Sequence, residues 1–197
     1  DQPRSRGLGD VYKRQLNGYA DEGAAFLNIS ACDPEALRGH WLEHFPGHRA
    51  LHLELGCGKG RFTADTAAQN PDIFLAAIEK VPDAMVVGME RVTERGLENV
   101  RFLDRDAANL LDMFAPGEVA RIYINFPAPW KKSRQHKRRL TYAGFLALYA
   151  NVLPLGGEIW FKTDNDPLFA FSLEQFEQEG WELREVTHLS LIHISEP

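Results

Sequence analysis

The chain has few cysteines and no long apolar run, and both absences limit what it can be. Cys32 and Cys57 are its only cysteines, and they lack the spacing of a metal-ligand set, so neither a disulfide framework nor a zinc site is indicated. No apolar stretch approaches the length of a membrane-spanning helix, and no secretory signal is visible. These absences predict a protein of the reducing cytoplasm that has no membrane partner and no metal.

Basic side chains are also scarce, except in one short stretch. The chain has 22 Lys and Arg against 28 Asp and Glu, a formal net charge of −6. Six of the 22 lie between Asn125 and Thr141, in N-F-P-A-P-W-K-K-S-R-Q-H-K-R-R-L-T. A concentrated basic loop on an acidic body is typical of a docking site for a polyanion. A solvated charge run is the alternative, but the N-F-x-x-P-W turn that opens the loop favours docking.

Both ends of the chain look foreign to the rest of it. Residues 10–15 (D-V-Y-K-R-Q) and 189–194 (L-S-L-I-H-I) resemble translations of the two strands of one transposon-type sequencing adapter. We therefore expect residues 1–15 and 189–197 to be non-native tails and exclude them from the fold. Residues 16–188 are expected to form a single domain, incomplete at both ends. Its length suits one hydrophobic core.

Strand and helix patterns alternate along this domain. Short apolar runs that end near glycine or polar residues predict strands at 50–55, 73–78, 100–103, 121–126, 158–162 and 181–186. Helical spacing predicts helices at 34–45, 61–69, 82–95, 107–114, 142–152 and 167–178. Repeated β-α units of this length predict an α/β fold with a mostly parallel sheet and helices on both faces. Ligands of such sheets bind at the carboxyl ends of the strands.

A glycine-rich turn follows the first predicted strand, in E-L-G-C-G-K-G from Glu54 to Gly60. Gly56 and Gly58 allow a tight turn and a close approach of a ligand to the backbone. The spacing differs from the G-x-G-x-x-G fingerprint that holds a pyrophosphate. An acidic residue just before the turn suits a cationic amino-acid group better than a diphosphate. Cys57 is interpreted as a small residue that the turn tolerates.

Two further carboxylates come after the next two predicted strands. Glu79 lies about twenty residues beyond the turn, where a carboxylate can accept both hydroxyls of an adenosine ribose; a surface Glu is the alternative. Asp106 either meets an adenine edge or caps the helix that follows it. Together, carboxylates after strands one, two and three favour an adenosyl cofactor more than any one of them does.

The order of these motifs resembles one family closely. E-L-G-C-G-K-G-R-F, I-E-K, D-A, N-F-x-x-P-W, K-R-R-L-T, G-G-E-I and F-K-T-D-N are similar to the motifs of bacterial tRNA (guanine-N7-)-methyltransferases. The resemblance covers nearly all of the natural segment. It implies a class I S-adenosylmethionine-dependent methyltransferase (Rossmann-like) fold. It also implies transfer of a methyl group from S-adenosylmethionine to N7 of a variable-loop guanine (guanine-46) in tRNA.

The resemblance also implies roles for individual residues. The cofactor-binding set is Glu54, Gly56, Gly58, Glu79 and Asp106. The substrate-binding residues are Lys132 and Asp164. The RNA-contacting residues are Ser133, Arg134, Gln135, His136, Lys137 and Arg138. Read from the residues alone, two positions stay open: Trp130 stacks on a base or plugs the core, and Asp164 accepts from guanine or caps a helix.

The chain departs from the family pattern in its loop. Family members usually read N-F-x-D-P-W-P-K, with a catalytic role assigned to the Asp, whereas this chain has Ala128 there and Lys131 in place of the second Pro. Its catalytic residue is therefore unknown. The T-x-Y-E segment that family members carry near the C-terminus is also missing. These departures leave a weakly active or inactive RNA-binding relative as an alternative, and a nucleotide-dependent oxidoreductase is disfavoured by the glycine spacing.

Overall fold

A seven-stranded sheet runs through the computed structural model, which describes residues 32–187 and the backbone of residues 191–195. Its strands are β1 (Ala50–Leu55), β2 (Ile73–Ile78), β3 (Val100–Leu103), β4 (Arg121–Asn125), β5 (Glu158–Lys162), β6 (Glu182–Thr187) and β7 (Leu191–Ser195). Their order across the sheet is β3-β2-β1-β4-β5-β7-β6. The first five are parallel, which confirms the predicted α/β class. The order of the strands changes direction between β1 and β4, because β2 and β3 are added on one side of β1 whereas β4 and β5 are added on the other.

The last two strands run against the others. β7 pairs antiparallel with both β5 and β6. It lies within residues 189–197, which were expected to lie outside the fold, yet its backbone joins β6 to β5 in the described sheet. The foreign origin of that segment stays a prediction. The other predicted tail, residues 1–15, lies outside the described residues.

Helices cover both faces of the sheet. They are α1 (Trp41–His44), α2 (Arg61–Gln69), α3 (Pro82–Glu94), α4 (Leu110–Met113), α5 (Ala143–Val152) and α6 (Asp166–Gln178). Short 3₁₀ helices occupy Ala107–Asn109 and Ser133–Arg138. The strand and helix predictions between 50 and 178 agree with these bounds to within a residue, except that the helix predicted at 107–114 is divided into a 3₁₀ turn and α4.

The predicted helix at 34–45 is wrong over its first half, where the chain forms turns until α1 begins at Trp41. Gly39 has a left-handed φ of 81°, which interrupts a right-handed helix. The Glu118 carboxylate accepts hydrogen bonds from the backbone N–H groups of Gly39 (2.8 Å) and Trp41 (3.1 Å). Those N–H groups are thus satisfied from a distant loop instead of by a preceding helical turn.

The two faces have different cores. α1, α4, α5 and α6 bury the larger cluster, which is centred on Trp41, Phe114, Tyr149 and Phe161. α2 and α3 bury the smaller cluster and pack so closely that a Cβ on Gly60 would lie 2.6 Å from the Cα of Gly88. Within residues 32–187, no helix is long and apolar enough to cross a membrane, and no three acidic, His or Cys side chains group as metal ligands.

Candidate functional site

The carboxyl ends of the parallel strands bring the predicted site residues to one edge of the sheet. Glu54 lies in β1, directly beside Tyr123 of β4 in the strand register. Glu79 directly follows β2, and Asp106 is the third residue after β3. Asn125 ends β4 and pairs with Lys162 of β5. The three predicted acids and the loop that follows β4 therefore share the edge at which such sheets bind ligands.

Glu54 is buried, with 2% of its surface exposed. Its Oε2 accepts a hydrogen bond of 2.6 Å from the hydroxyl of Thr63. Burial raises the pKa of Glu54 to about 7, helped by the charge of Glu79 and opposed by the side chains of Thr63 and Asn125. At neutral pH the carboxyl is therefore poised between its two forms, and a cation bound beside it would favour the ionised one.

The Asn125 amide contributes a second unusual group. It lies close enough to Glu54 to lower the pKa of that carboxyl. Its Nδ2 atom is buried, however, and has no hydrogen-bond partner of standard geometry among the described residues. Buried amide donors are nearly always paired, so an acceptor from a ligand fits this position.

Glu79 holds the glycine turn against the end of β2. Its Oε2 accepts from the N–H of Gly58 at 2.7 Å, and its Oε1 accepts from the N–H groups of Lys80 and Val81 at 2.8 and 2.9 Å. The turn is fixed from its other side by the carbonyl of Ile78, which accepts from the N–H groups of Gly56 and Cys57. The Glu79 carboxylate thus uses most, but not all, of its acceptor capacity.

The turn itself is open to a ligand. Gly56 and Gly58 have φ values of 72° and 53°, in the left-handed region that favours glycine. A Cβ at either position would meet nothing within 4 Å, so free space lies over both residues. The third glycine differs, because Gly60 serves the packing of α2 on α3.

Asp106 caps the 3₁₀ helix and also forms an ion pair. Its Oδ1 accepts a hydrogen bond of 2.9 Å from the N–H of Ala108, which confirms the capping interpretation. Its Oδ2 pairs with the ammonium of Lys80. Although partial burial acts to raise it, the pKa of Asp106 is lowered by the Ala108 amide and by Lys80. The pair is largely exposed, so it opens at little cost.

The predicted RNA-contacting segment forms the 3₁₀ helix Ser133–Arg138. Five cationic side chains along this loop are exposed, and none forms an ion pair with a carboxylate of the described residues: Lys131, Lys132, Arg134, Lys137 and Arg138. Unpaired cations so close together repel one another and attract polyanions. The loop therefore carries a basic surface whose charges no partner within the described protein neutralises.

Arg139 has a different role from its basic neighbours. It is buried, with 6% exposure, and donates from Nε to the carbonyl of Pro129 (2.9 Å) and from Nη2 to that of Trp130 (3.3 Å). Its guanidinium also lies over the ring of Phe171, 4.4 Å from the centroid. Arg139 thus fixes the conformation of the loop that follows β4.

Asp164 is exposed and follows β5. Its alternative interpretation as a helix cap is wrong, because the side chain of Asn165 accepts from the N–H of Leu168 at the start of α6 (2.9 Å). Asp164 forms no hydrogen bond or ion pair that fixes it within residues 32–187. Since β4 and β5 are paired neighbours, Asp164 and the loop that carries Lys132 both follow strands that end at the same edge of the sheet.

Sequence reasoning missed three residues of this edge. Lys80, Thr63 and Asn125 pair with, or face, the predicted acids. Lys80 directly follows Glu79, so its nearness to the site was readable from the sequence. Nothing in the sequence indicates that Thr63 reaches Glu54, or that the buried Nδ2 of Asn125 has no hydrogen-bond partner of standard geometry among the described residues.

Comparisons with known proteins agree on one kind of enzyme. A protein-family profile described as "Putative methyltransferase" matches residues 48–190. A tRNA (guanine-N(7)-)-methyltransferase of Geobacillus thermodenitrificans is 45% identical over 166 residues, 84% of this chain and 77% of that relative. One from Bacillus velezensis is 42% identical over 186 residues, 94% of this chain and 83% of that relative.

Solved structures show the same fold at much lower identity. The antibiotic-resistance methyltransferase Kmr superposes with a TM-score of 0.59 at 20% identity, covering 80% of this chain and 91% of Kmr. A SAM-dependent methyltransferase from Aquifex aeolicus gives 0.58 at 16% identity, covering 96% of this chain and 98% of that one. The described sheet and its helices thus form a class I methyltransferase fold, as predicted.

Proposed function

The chain belongs to the tRNA (guanine-N(7)-)-methyltransferase family, and on that premise we propose that it methylates N7 of a variable-loop guanine in tRNA, with S-adenosylmethionine as the methyl donor. The observation that carries this proposal is the pairing of two unlike surfaces at one edge of the sheet. Acids surround an open glycine turn, and a loop of unpaired cations follows the adjacent strand. Bacterial tRNA is a cytoplasmic substrate, so we place the enzyme in the cytoplasm.

The acidic surface fits S-adenosylmethionine group by group. The buried Glu54 suits the ammonium of the methionine part. The Asn125 amide, which faces Glu54 and whose Nδ2 has no hydrogen-bond partner of standard geometry among the described residues, can donate to the carboxylate of the methionine part. Glu79 retains acceptor capacity for the ribose hydroxyls. Asp106, just beyond the end of β3, suits the adenine amino group once Lys80 gives up its ion pair. Gly56 and Gly58 leave the space that the cofactor needs.

The basic surface fits the phosphates of a folded RNA. Lys131, Arg134 and Lys137 lie three residues apart along the exposed loop, and none of them forms an ion pair among the described residues. Cations of this kind neutralise phosphates and position the RNA without reading its sequence. Lys132 and Asp164 emerge from neighbouring strands, so they can approach one guanine from two sides. The Asp164 carboxylate suits the N1–H and exocyclic amine of that base.

The chemistry asks little of the protein beyond alignment. Bound S-adenosylmethionine supplies an electrophilic methyl group on a positively charged sulfur. Guanine N7 has a free lone pair and no proton, so no general base is needed. The chain therefore acts by holding the two reactants in line and by placing carboxylates near the charge that moves onto the purine. Glu54 is the carboxylate on the cofactor side of the reacting groups, and Asp164 is the carboxylate on the guanine side.

Two measurements on the purified protein test the proposal. Calorimetric titration with S-adenosylmethionine, with NAD as the control ligand, should show selective binding of the first. Transfer of labelled methyl groups to a tRNA transcript should depend on a guanine in the variable loop and cease when adenine replaces it. Binding of NAD instead of S-adenosylmethionine, or methylation that ignores the variable-loop base, would contradict the proposal.

A further inference from the structure

Phe126 combines two properties that rarely occur together. It is the first residue after β4, and 63% of its surface is exposed. Its φ is 49°, a left-handed conformation that is a genuine outlier for a bulky side chain. Single exposed apolar residues are ordinary, and the described chain has others, such as Val81, Leu111 and Leu155. None of those has a positive φ, so Phe126 stands apart from them.

The surrounding loop holds Phe126 firmly in this conformation. Its backbone N–H donates to the carbonyl of Lys162 on β5 at 2.8 Å. The two prolines of the loop, Pro127 and Pro129, restrict the backbone that follows, and buried Arg139 fixes the carbonyls of Pro129 and Trp130. Backbone strain that is so strongly enforced by its neighbours is typical of functional sites.

Trp130 offers a useful contrast within the same loop. It is the other described non-glycine residue with a positive φ, 43°. The guanidinium of Arg138 lies over its ring, 5.1 Å from the centroid, so one aromatic face is already covered by a cation. The ring that the loop leaves open to a new partner is that of Phe126.

We propose that Phe126 stacks on a flat face of the target guanine, the base whose N7 accepts the methyl group in the plane of the ring. This inference rests on the proposed function. Phe126 directly follows Asn125, whose amide faces Glu54 in the cofactor half of the site. It also begins the loop that carries the unpaired cations. An open ring on a fixed backbone at this junction can hold a flat base next to the methyl donor, and the fixed backbone means that little freedom of the main chain is lost on binding.

Four variants of the full chain separate stacking from simple bulk. From the usual strength of base–aromatic stacking, we expect Phe126→Ala to lower kcat/KM for tRNA roughly ten- to a hundredfold. Phe126→Leu should lose nearly as much, because it retains bulk without an aromatic face, whereas Phe126→Tyr should recover most of the activity. Leu155→Ala is the matched control, since Leu155 is 88% exposed and precedes β5 at the opposite edge of the sheet. Affinity for S-adenosylmethionine should be the same in all four.

Phe126→Gly tests the strain itself. Glycine adopts the left-handed region without penalty, so this variant should melt at a temperature equal to or above that of the wild type while its methyl transfer falls as in Phe126→Ala. A loss of thermal stability together with weaker cofactor binding would show that Phe126 supports the fold, and would overturn the proposal.

A fluorescent guanine analogue at the target position of the tRNA gives a second readout that needs no turnover. With S-adenosylhomocysteine present, stacking should change its emission on binding to the wild type and to Phe126→Tyr, but not on binding to Phe126→Ala. If the wild type changes the emission but transfers no methyl group, the proposed function fails and the stacking survives. Wild-type activity in Phe126→Leu, or the same emission change in Phe126→Ala, would refute the stacking.

Discussion

The two halves of the ligand-binding edge satisfy their charges in opposite ways. On the side of β1, β2 and β3, the acids already have partners within the protein: Thr63 for Glu54, three backbone amides for Glu79, and Lys80 with an amide for Asp106. On the side of β4 and β5, five loop cations have no carboxylate partner among the described residues. The acidic half is therefore organised in advance for a small ligand, whereas the basic half needs an outside polyanion to balance its charge.

Removing the basic surface should give the largest effect. Replacement of Lys131, Lys132, Arg134 and Lys137 by serine should weaken tRNA binding on the order of a hundredfold at physiological salt, and should reduce the slope of log affinity against log salt by about 3. Filter binding over a salt series measures both. Affinity for S-adenosylmethionine should not change, because the acidic half keeps its own partners.

Arg49→Ser is the matched control for this charge removal. Arg49 precedes β1 at the far edge of the sheet and is paired with Asp72. Its loss should leave the salt slope as it is. If Arg49→Ser reduced the salt slope by about a quarter of the loop variant's effect, which is the share of one charge in four, binding would follow net charge and the contrast between the two halves would not hold.

A single change to Glu79 should weaken cofactor binding by the acidic half. Glu79→Ala removes the acceptor of three backbone amides and the candidate ribose ligand, so the affinity for S-adenosylmethionine should fall by about 1.5–3 kcal/mol, the usual value of hydrogen bonds to a charged group. Calorimetry measures the loss, with Glu94→Ala on the exposed side of α3 as the control. Undiminished cofactor affinity in Glu79→Ala would mean that the ligand binds elsewhere.

Restoring an acid to the basic loop should raise the rate of methyl transfer. Ala128 is exposed between Pro127 and Pro129, so a larger side chain fits there. If the aspartate usual in this family helps electrostatically, Ala128→Asp should raise kcat about tenfold or more, in line with the effect of charge placed at a reacting centre. Ala128→Asn has the same size without the charge. Equal rates in the two variants would exclude an electrostatic role.

The smallest predicted effect concerns pH. Burial raises the pKa of Glu54 from 4.5 to about 7, so this group favours the folded state at low pH, and its contribution is lost as pH rises from 4.5 through 7. A bound cation needs the ionised form, so affinity for S-adenosylmethionine should increase roughly tenfold between pH 6 and pH 8, with release of a proton. Calorimetry in two buffers of different ionisation enthalpy detects that proton.

Glu54→Gln should bind S-adenosylmethionine more weakly and lose this pH dependence. The variant should also remove the part of the stability decline between pH 4.5 and 7 that arises from Glu54. A pH dependence that persists in Glu54→Gln would assign the titration to another group of the edge.

The sequence predicted the parts of the edge that depend on local pattern. Apolar runs that end in glycine or an acid located β1, β2 and β3, and the parallel order then placed Glu54, Glu79 and Asp106 together. What it could not predict depends on contacts far apart in the chain. The turn at Gly39 is held by the carboxylate of Glu118, 79 residues away. The strained φ of Phe126 is held by the carbonyl of Lys162 and by Arg139, which fixes the loop that follows. Propensity alone would have made Phe126 an ordinary last residue of a strand.

The most direct test of the account changes one atom of the substrate. A tRNA with 7-deazaguanine at the variable-loop position keeps the base's shape, its Watson–Crick edge and every phosphate, but has carbon in place of N7. The account predicts that this tRNA binds as tightly as the unmodified one and accepts no methyl group at that position, while unmodified tRNA is methylated there. Methylation of the 7-deaza tRNA at the same nucleotide would contradict the account, because the methyl group would then be going to another atom.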